Sequence, residues 1–292
     1  MPLDKKEWLA LEKKSYELRS LCLQTTSDAG SGHIGGGMSV MDIMTVLYHK
    51  FMKIDPKNPQ WEDRDRMIMS KGHAGIALAG VLADLGYVDK KDLKTFNLTG
   101  SKMGIHLDSM KVPGVDASTG SLGHGQPMAL GISLAGRINK KDYMTYCVLG
   151  DGECDEGSVW EAAMATSHFK VTNMVTIVDR NKCMIDGPTE DVMTLEPFVD
   201  KWKAFGFEVY EINGHDFREL VDAIDKAIAN YKNGGTKPVC IVANTVKGEG
   251  IDYMAGDYKW HYGAIDDSKL ATAKESLEKH YKARLERVEK EA

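Results

Sequence analysis

Short apolar runs of β character recur along this chain, and stretches of helical period separate most of them. The runs are RMIMS (66–70), YMTYCVLG (143–150), NMVTIVD (173–179), FEVYEI (207–212) and PVCIVANT (238–245). Helical patterns fall at 4–24, 38–52, 74–86, 125–138, 157–169, 194–205, 216–231 and about 266–287. Strand alternating with helix predicts an α/β fold, a parallel sheet flanked by helices on both faces. No linker, internal repeat or low-complexity tract divides the pattern, so 1–292 reads as one domain ending in a charged helix. Two segments, 95–123 and 246–264, carry no period; irregular stretches that long in a compact domain tend to be functional.

Composition narrows the chemistry. With 37 Lys and Arg against 43 Asp and Glu, the net charge is −6, which offers no basic footprint for nucleic acid. An anionic ligand must therefore be held by local groups. The first twenty residues are charged and amphipathic and lack the apolar core of a signal peptide. No apolar run reaches the roughly 18 residues of a membrane span. The 5 cysteines, Cys22, Cys147, Cys154, Cys183 and Cys240, are scattered with no C-x-x-C pair. That suits reduced thiols and a cytoplasmic location. Cys147 and Cys240 fall inside strand patterns and read as core, whereas Cys154 lies where oxidation could reach a site.

The run YCVLGDGE places an acid between two glycines at the end of a buried strand. Ligands of a parallel sheet gather beyond the carboxyl ends of its strands. Asp151 stands at such an end, Gly150 and Gly152 permit a sharp turn and close approach, and a helix opening near Gly157 and Ser158 favours an anion. The next strand ends at Arg180 and Asn181. If the two strands are neighbours, the oxygens of Asp151 and Asn181 converge. Asp with Asn is a hard-oxygen set suited to Mg²⁺ or Ca²⁺ and not to zinc. A bare G-D-G is most often a surface turn; the strand before it, the helix after it and the asparagine beyond point instead to a metal clamping a diphosphate. Because Asp151 sits in a loop, its removal is expected to cost the fold little.

The segment GDGECDEGSVWEAAMATSHFKVTNMVTIVDRNKCMIDG resembles the thiamine-diphosphate motif in its transketolase form. Four further segments resemble transketolases in the same order: SGHIGGGMSVMDIMTVLYH (31–49), DRMIMSKGHAGIALAGVLADLGY (65–87), HLDSMKVPGVDASTGSLGHGQPMALG (106–131) and KGEGIDYMAGDYKWHYG (247–263). The likeness runs from about residue 10 to 265 and implies the thiamine-diphosphate-binding, diphosphate-domain fold. It implies that Asp151, Asn181 and the Cys183 carbonyl ligate Mg²⁺, with Ca²⁺ or Mn²⁺ as substitutes. Gly150, Gly152 and Glu153 would lie along the diphosphate, Gly120 and Leu122 against the cofactor rings, and His73 at the diphosphate. His33, His106 and His261 would face the sugar, His261 also bordering the cofactor. Leu107, Ser121 and His124 depart from the family's usual Pro, Pro and Gln.

Among the nine histidines, His33, His73, His106 and His261 sit in or beside glycine-rich or irregular segments, where binding groups concentrate. Imidazole titrates near working pH and can move protons on hydroxyl and carbonyl oxygens. His49, His168, His215 and His280 read as structural or exposed.

The resemblance also implies what the chain lacks. Transketolases add a pyrimidine-binding half, which carries the carboxylate that activates the cofactor and most donor-phosphate contacts, and a C-terminal domain. The chain is thus expected to be the N-terminal subunit of a split transketolase, moving a two-carbon ketol unit between sugar phosphates of carbohydrate metabolism such as the pentose phosphates. Its partner would be a C-terminal transketolase subunit, most simply in an α2β2 assembly, with no nucleic acid and no membrane. Two other readings are an α subunit of a 2-oxo-acid dehydrogenase, which leaves SKGHA and WHYG without a reason, and a non-catalytic module that keeps the cofactor pocket.

Overall fold

The computed structural model describes residues 3–292. In order, the main elements are α1 (Lys5–Asp28), α2 (Ile34–Val46), β1 (Arg66–Met69), α3 (Gly75–Leu85), α4 (Gly125–Ile138), β2 (Thr145–Gly150), α5 (Gly157–His168), β3 (Met174–Arg180), α6 (Thr189–Val192), α7 (Phe198–Ala204), β4 (Glu208–Asn213), α8 (Phe217–Lys232), β5 (Val239–Asn244) and α9 (Asp267–Glu291). The five strands form one parallel sheet in the order β1-β2-β3-β5-β4. All its carboxyl ends therefore lie along one edge. The register pairs Gly150 with Asp179 and Arg180 with Asn244, which sets the residues after β2, β3 and β5 side by side.

The sheet separates two apolar layers by the two-residue period of its strands. Tyr146 and Val148 of β2, Val175 and Ile177 of β3, and Ile241 of β5 join the core built with α1, α2, α3, α8 and α9. Cys147 and Leu149, Met174 and Val178, and Cys240 and Val242 point the other way, to α4, α5 and α7. Strands buried on both faces explain the nearly unbroken apolar runs. The edge strand β4 is the exception, with Glu208, Glu211 and Asn213 on its exposed positions.

Local chemistry sets most boundaries. Asp4, Asp216 and Asp266 cap α1, α8 and α9 by accepting from Glu7 N, Arg218 N and Lys269 N. Two helices differ from the sequence pattern. The helix expected at 38–52 begins at Ile34 and carries Gly35, Gly36 and Gly37, all buried, before a wider turn at Leu47–Phe51. Packing overrides the poor helix propensity of glycine there. The helix expected at 194–205 forms only over Phe198–Ala204, because Pro197 occupies its N-cap and disfavours helical backbone at the residue before it. Among the described residues, no helix is long and apolar enough to cross a membrane.

Candidate active site

A cavity of about 280 Å³ opens beyond the carboxyl ends of the strands. It is lined by His33, His73, His106, His261, Gly120, Leu122, Gly150, Asp151, Gly152, Glu153, Asn181 and Cys183, so the residues expected to hold substrate, cofactor or metal meet here. Most arrive from strand ends or from the turns that follow them, and His106, Gly120 and Leu122 from the irregular 95–123 segment. His33 is the N-cap of α2, His73 sits in a 3-10 turn just after β1, and His261 ends the 3-10 turn Tyr258–His261.

One wall is built of oxygens. Asp151 is 3% exposed. Its Oδ1 accepts from Gly152 N at 3.0 Å, and its Oδ2 from Lys182 N at 2.7 Å and Thr189 Oγ1 at 3.1 Å. Burial, helped by the neighbouring Asp179, raises its pKa. Asn181 donates to Ser39 Oγ at 3.3 Å and accepts from Cys183 N at 3.1 Å. The Cys183 carbonyl accepts from Lys247 Nζ at 2.9 Å.

The turn itself is tighter than composition suggests, but not through glycine's backbone freedom. Neither Gly150 nor Gly152 has positive φ. A Cβ on Gly152 would come within 2.8 Å of Met184, whereas one on Gly150 would make only ordinary contacts. Gly152 thus admits Met184, and Gly150 has no steric requirement. The carboxylate of Glu153 turns inward: it accepts from Ser70 Oγ, from Gly123 N at 2.9 Å and from Gly150 N at 3.1 Å. Its side chain thereby anchors the 119–125 loop to the ends of β1 and β2. The start of α5 does not reach the cavity either. Gly157 is exposed, and Ser158 Oγ donates to Gly123 O at 3.0 Å.

The opposite wall is imidazole. Ring centroids of His33 lie 5.4 Å from His73, 6.1 Å from His106 and 5.2 Å from His261, and His73 stacks on His261 at 5.0 Å. A Cβ on Gly120 would fall 2.9 Å from the His106 ring, so glycine makes room for that ring. Burial chiefly, with nearby cationic side chains, pushes His33 down to about 4 and His261 to about 3. Burial, then Lys71, holds His73 well below its ordinary value. The expectation that these rings titrate near working pH is therefore revised for His33, His73 and His261: burial in this cavity favours their neutral form, with one donor and one acceptor nitrogen each.

Two lysines, together with Met184, Ile185 and Asp186, complete the lining and were not singled out from the sequence. Lys71, 1% exposed, pairs with wholly buried Asp179, which also accepts from Ser39 Oγ at 2.6 Å and from Thr245. Burial opposes ionisation of Asp179, but Lys71 outweighs it and keeps the carboxylate charged. Lys247 donates to Cys183 O and reaches His261 Nδ1 at 3.0 Å; burial and Lys71 push it down to about 8. Both lysines lie in quoted motifs, SKGHA and KGEG, which were the signal available for them. Ile185, 64% exposed, stands at the open side. Cys154 is fully buried and its thiol is pushed well up, which removes the thiolate that oxidation needs.

Comparison with known proteins bears on the whole chain. Residues 12–288 match the family described as transketolase, thiamine diphosphate binding domain, so the match continues into α9, past the residue, about 265, where the sequence likeness was placed. A 6-deoxy-6-sulfo-D-fructose transketolase subunit from a Clostridium species is 39% identical over 92% of this chain and 96% of its own length. One subunit of an apulose-4-phosphate transketolase from Phocaeicola vulgatus is 38% identical over 96% of this chain and 97% of its own. Among solved structures, transketolase from Campylobacter jejuni superposes with a TM-score of 0.85 at 32% identity over 95% of this chain. This chain spans only 45% of that enzyme.

Proposed function

The chain belongs to the transketolase thiamine-diphosphate-binding-domain family, and from that premise we propose that it is the N-terminal subunit of a two-chain transketolase acting on sugar phosphates. The observation that carries this reading is the pairing, in one cavity, of a hard-oxygen wall with four convergent imidazoles. Thiamine diphosphate, when bound, supplies the carbon nucleophile and electron sink for moving a two-carbon ketol unit from a ketose to an aldose. Asp151, Asn181 and Cys183 O would hold the accompanying Mg²⁺. The donor chemistry fits, since all three are oxygens and a carbonyl has a second lone pair besides the one Lys247 occupies. The cationic forms of Lys71 and Lys247 and the backbone from Gly150 to Glu153 suit the diphosphate, whose charge favours the protonated form of Lys247. Gly120 and Leu122 would border the cofactor rings.

His33, His106 and His261 are read as holding the sugar's hydroxyl and carbonyl oxygens and exchanging protons with them, and His73 as bordering the diphosphate. The 2-oxo-acid dehydrogenase reading gives four convergent imidazoles no work. The non-catalytic reading gives them none either. A further chain would close the open side at Ile185. Met128 and Ile138 on α4, with Met164 and Phe169 around the end of α5, are exposed apolar side chains suited to contacts between protomers. An α2β2 complex, a single domain over 1–292 with both cores on one sheet, and a cytoplasmic setting with five free thiols complete the proposal. The test is to assemble the chain with its partner and to offer the complex ketose phosphates and 2-oxo acids in turn. Ketol transfer between sugars supports the reading, and turnover of 2-oxo acids alone overturns it.

A further inference from the structure

His215 lies outside the cavity, yet it joins the cavity's edge to a buried charge cluster around Asp42. Asp42 on α2 is wholly buried. It accepts from Arg19 at 2.8 and 3.0 Å, from Arg284 of α9 at 2.9 Å and from Ser15. Its Oδ2 also meets His215 Nδ1 at 2.8 Å. On the far side of the ring, Val246 N donates to His215 Nε2 at 2.9 Å. A neutral imidazole has one donor and one acceptor nitrogen. Asp42 can only accept, so Nδ1 carries the proton and donates it in a hydrogen bond, and Nε2 carries the lone pair that the Val246 amide needs. The ring is further placed by His215 N donating to Asn213 Oδ1 at 2.9 Å.

Val246 opens the 246–264 loop, and its neighbour is Lys247. That amine meets the Cys183 and Met184 carbonyls and His261 Nδ1. The next residue but one, Gly248, is tied back to α2 through Gly35 O at 3.0 Å. We infer that His215 is a positioning residue for the cofactor end of the cavity: it hangs the Val246–Lys247 corner from the buried Asp42 carboxylate, so that Lys247 reaches Cys183 and His261. The inference rests on the cavity being the cofactor site.

Two substitutions separate this role from bulk stability. His215→Asn keeps a donor for Asp42 and removes the acceptor for Val246. His215→Gln puts an amide oxygen within reach of Val246 and gives up the Nδ1 donor. Both are made in the full chain, assembled with its partner. Hydrogen–deuterium exchange of peptides covering 246–250 is read beside the thermal midpoint, the KM for thiamine diphosphate and kcat at saturating cofactor. For His215→Asn the expected result is faster exchange in that segment and a cofactor KM about tenfold higher, the size of a lost supporting contact. Its kcat should stay within about threefold of the parent, and His215→Gln, which keeps an acceptor for Val246 but not the tether to Asp42, should recover only part of the loss. Unchanged exchange overturns the inference, and so does faster exchange with unmoved cofactor KM, or equal loss in both variants that follows the thermal midpoint. A parent complex that binds no thiamine diphosphate would instead sink the cofactor reading, and exchange at 246–250 would still decide whether His215 holds the corner.

Discussion

Replacing Asp151 separates its two jobs, because the structure assigns it more of the fold than a loop carboxylate usually has. In Asp151→Ala, Lys182 N and the hydroxyl of Thr189, a residue only 2% exposed, lose their acceptor. Gly152 N, beside the cavity, can turn to water. A buried donor left unpaired costs about 1–3 kcal/mol. Buried Thr189 carries that cost in full, while the amide of exposed Lys182 can turn to water, so the loss is roughly 1–3 kcal/mol against the 5–15 kcal/mol that typically holds a domain together. The sequence expectation that alanine here leaves the fold intact is therefore revised.

Asp151→Asn keeps one carbonyl oxygen for those donors, and the Thr189 hydroxyl can turn to accept from the new amide. It also removes a buried charge that Asp179 opposes. Its cost to the fold should stay within about 1 kcal/mol. Both variants lose the anionic oxygen proposed for the metal, so both should lose on the order of 100-fold or more in Mg²⁺-dependent affinity for thiamine diphosphate. Urea denaturation gives the first quantity, and calorimetric titration of the assembled complex gives the second. Parent-like affinity in Asp151→Asn would refute the metal assignment. Equal stability of the alanine and asparagine variants would refute the hydrogen-bond accounting.

His261→Ala should lower kcat by about 10²–10⁴ while moving cofactor affinity far less; kinetics at saturating cofactor check this, and turnover within about twofold of the parent would return the ring to a structural role. His280, held down to about 4 chiefly by burial, should make the protein acid-sensitive. The unfolded chain takes up this proton near 6.5, before the folded one does, so the contribution falls by roughly 3 kcal/mol between pH 6.5 and 4 and is level below that. His280→Gln should shrink the stability loss between pH 7 and 4.5 by up to that amount in urea denaturation, and an unchanged loss would contradict the assignment. The chain purified without its partner should show no ketol transfer from a ketose phosphate to an aldose phosphate, and addition of the partner should restore it; full turnover by the single chain would mean that its own residues complete the site.

The parts of the site carried by strand ends were legible in the sequence. Asp151 and Asn181 could be placed because β2 and β3 read as consecutive strands, and neighbouring parallel strands deliver their last residues to one edge. The histidines could be placed because glycine-rich segments surround them. What stayed hidden depends on where long side chains end. Lys71 and Lys247 reach the cavity through extended stems whose direction no periodicity encodes. Glu153 turns inward because three donors from distant segments converge on it. The start of α2 over Gly35–37 contradicts local propensity and follows from burial alone. His215 reads as an ordinary histidine until Asp42 and Val246 are seen on its two nitrogens. The C-terminal helix reads as a charged appendage, yet Arg284 and Arg287 reach Glu12, Asp42 and Asp216 across the fold.

The most direct measurement is a structure of the chain assembled with its partner, soaked with thiamine diphosphate and Mg²⁺. The diphosphate should lie against Gly150–Glu153, with the metal on Asp151, Asn181 and the Cys183 carbonyl, and His33, His106 and His261 should face the space left for a sugar. A cofactor bound elsewhere, or a cavity in which the Asp151 and Asn181 oxygens remain metal-free with thiamine diphosphate present, would contradict the account.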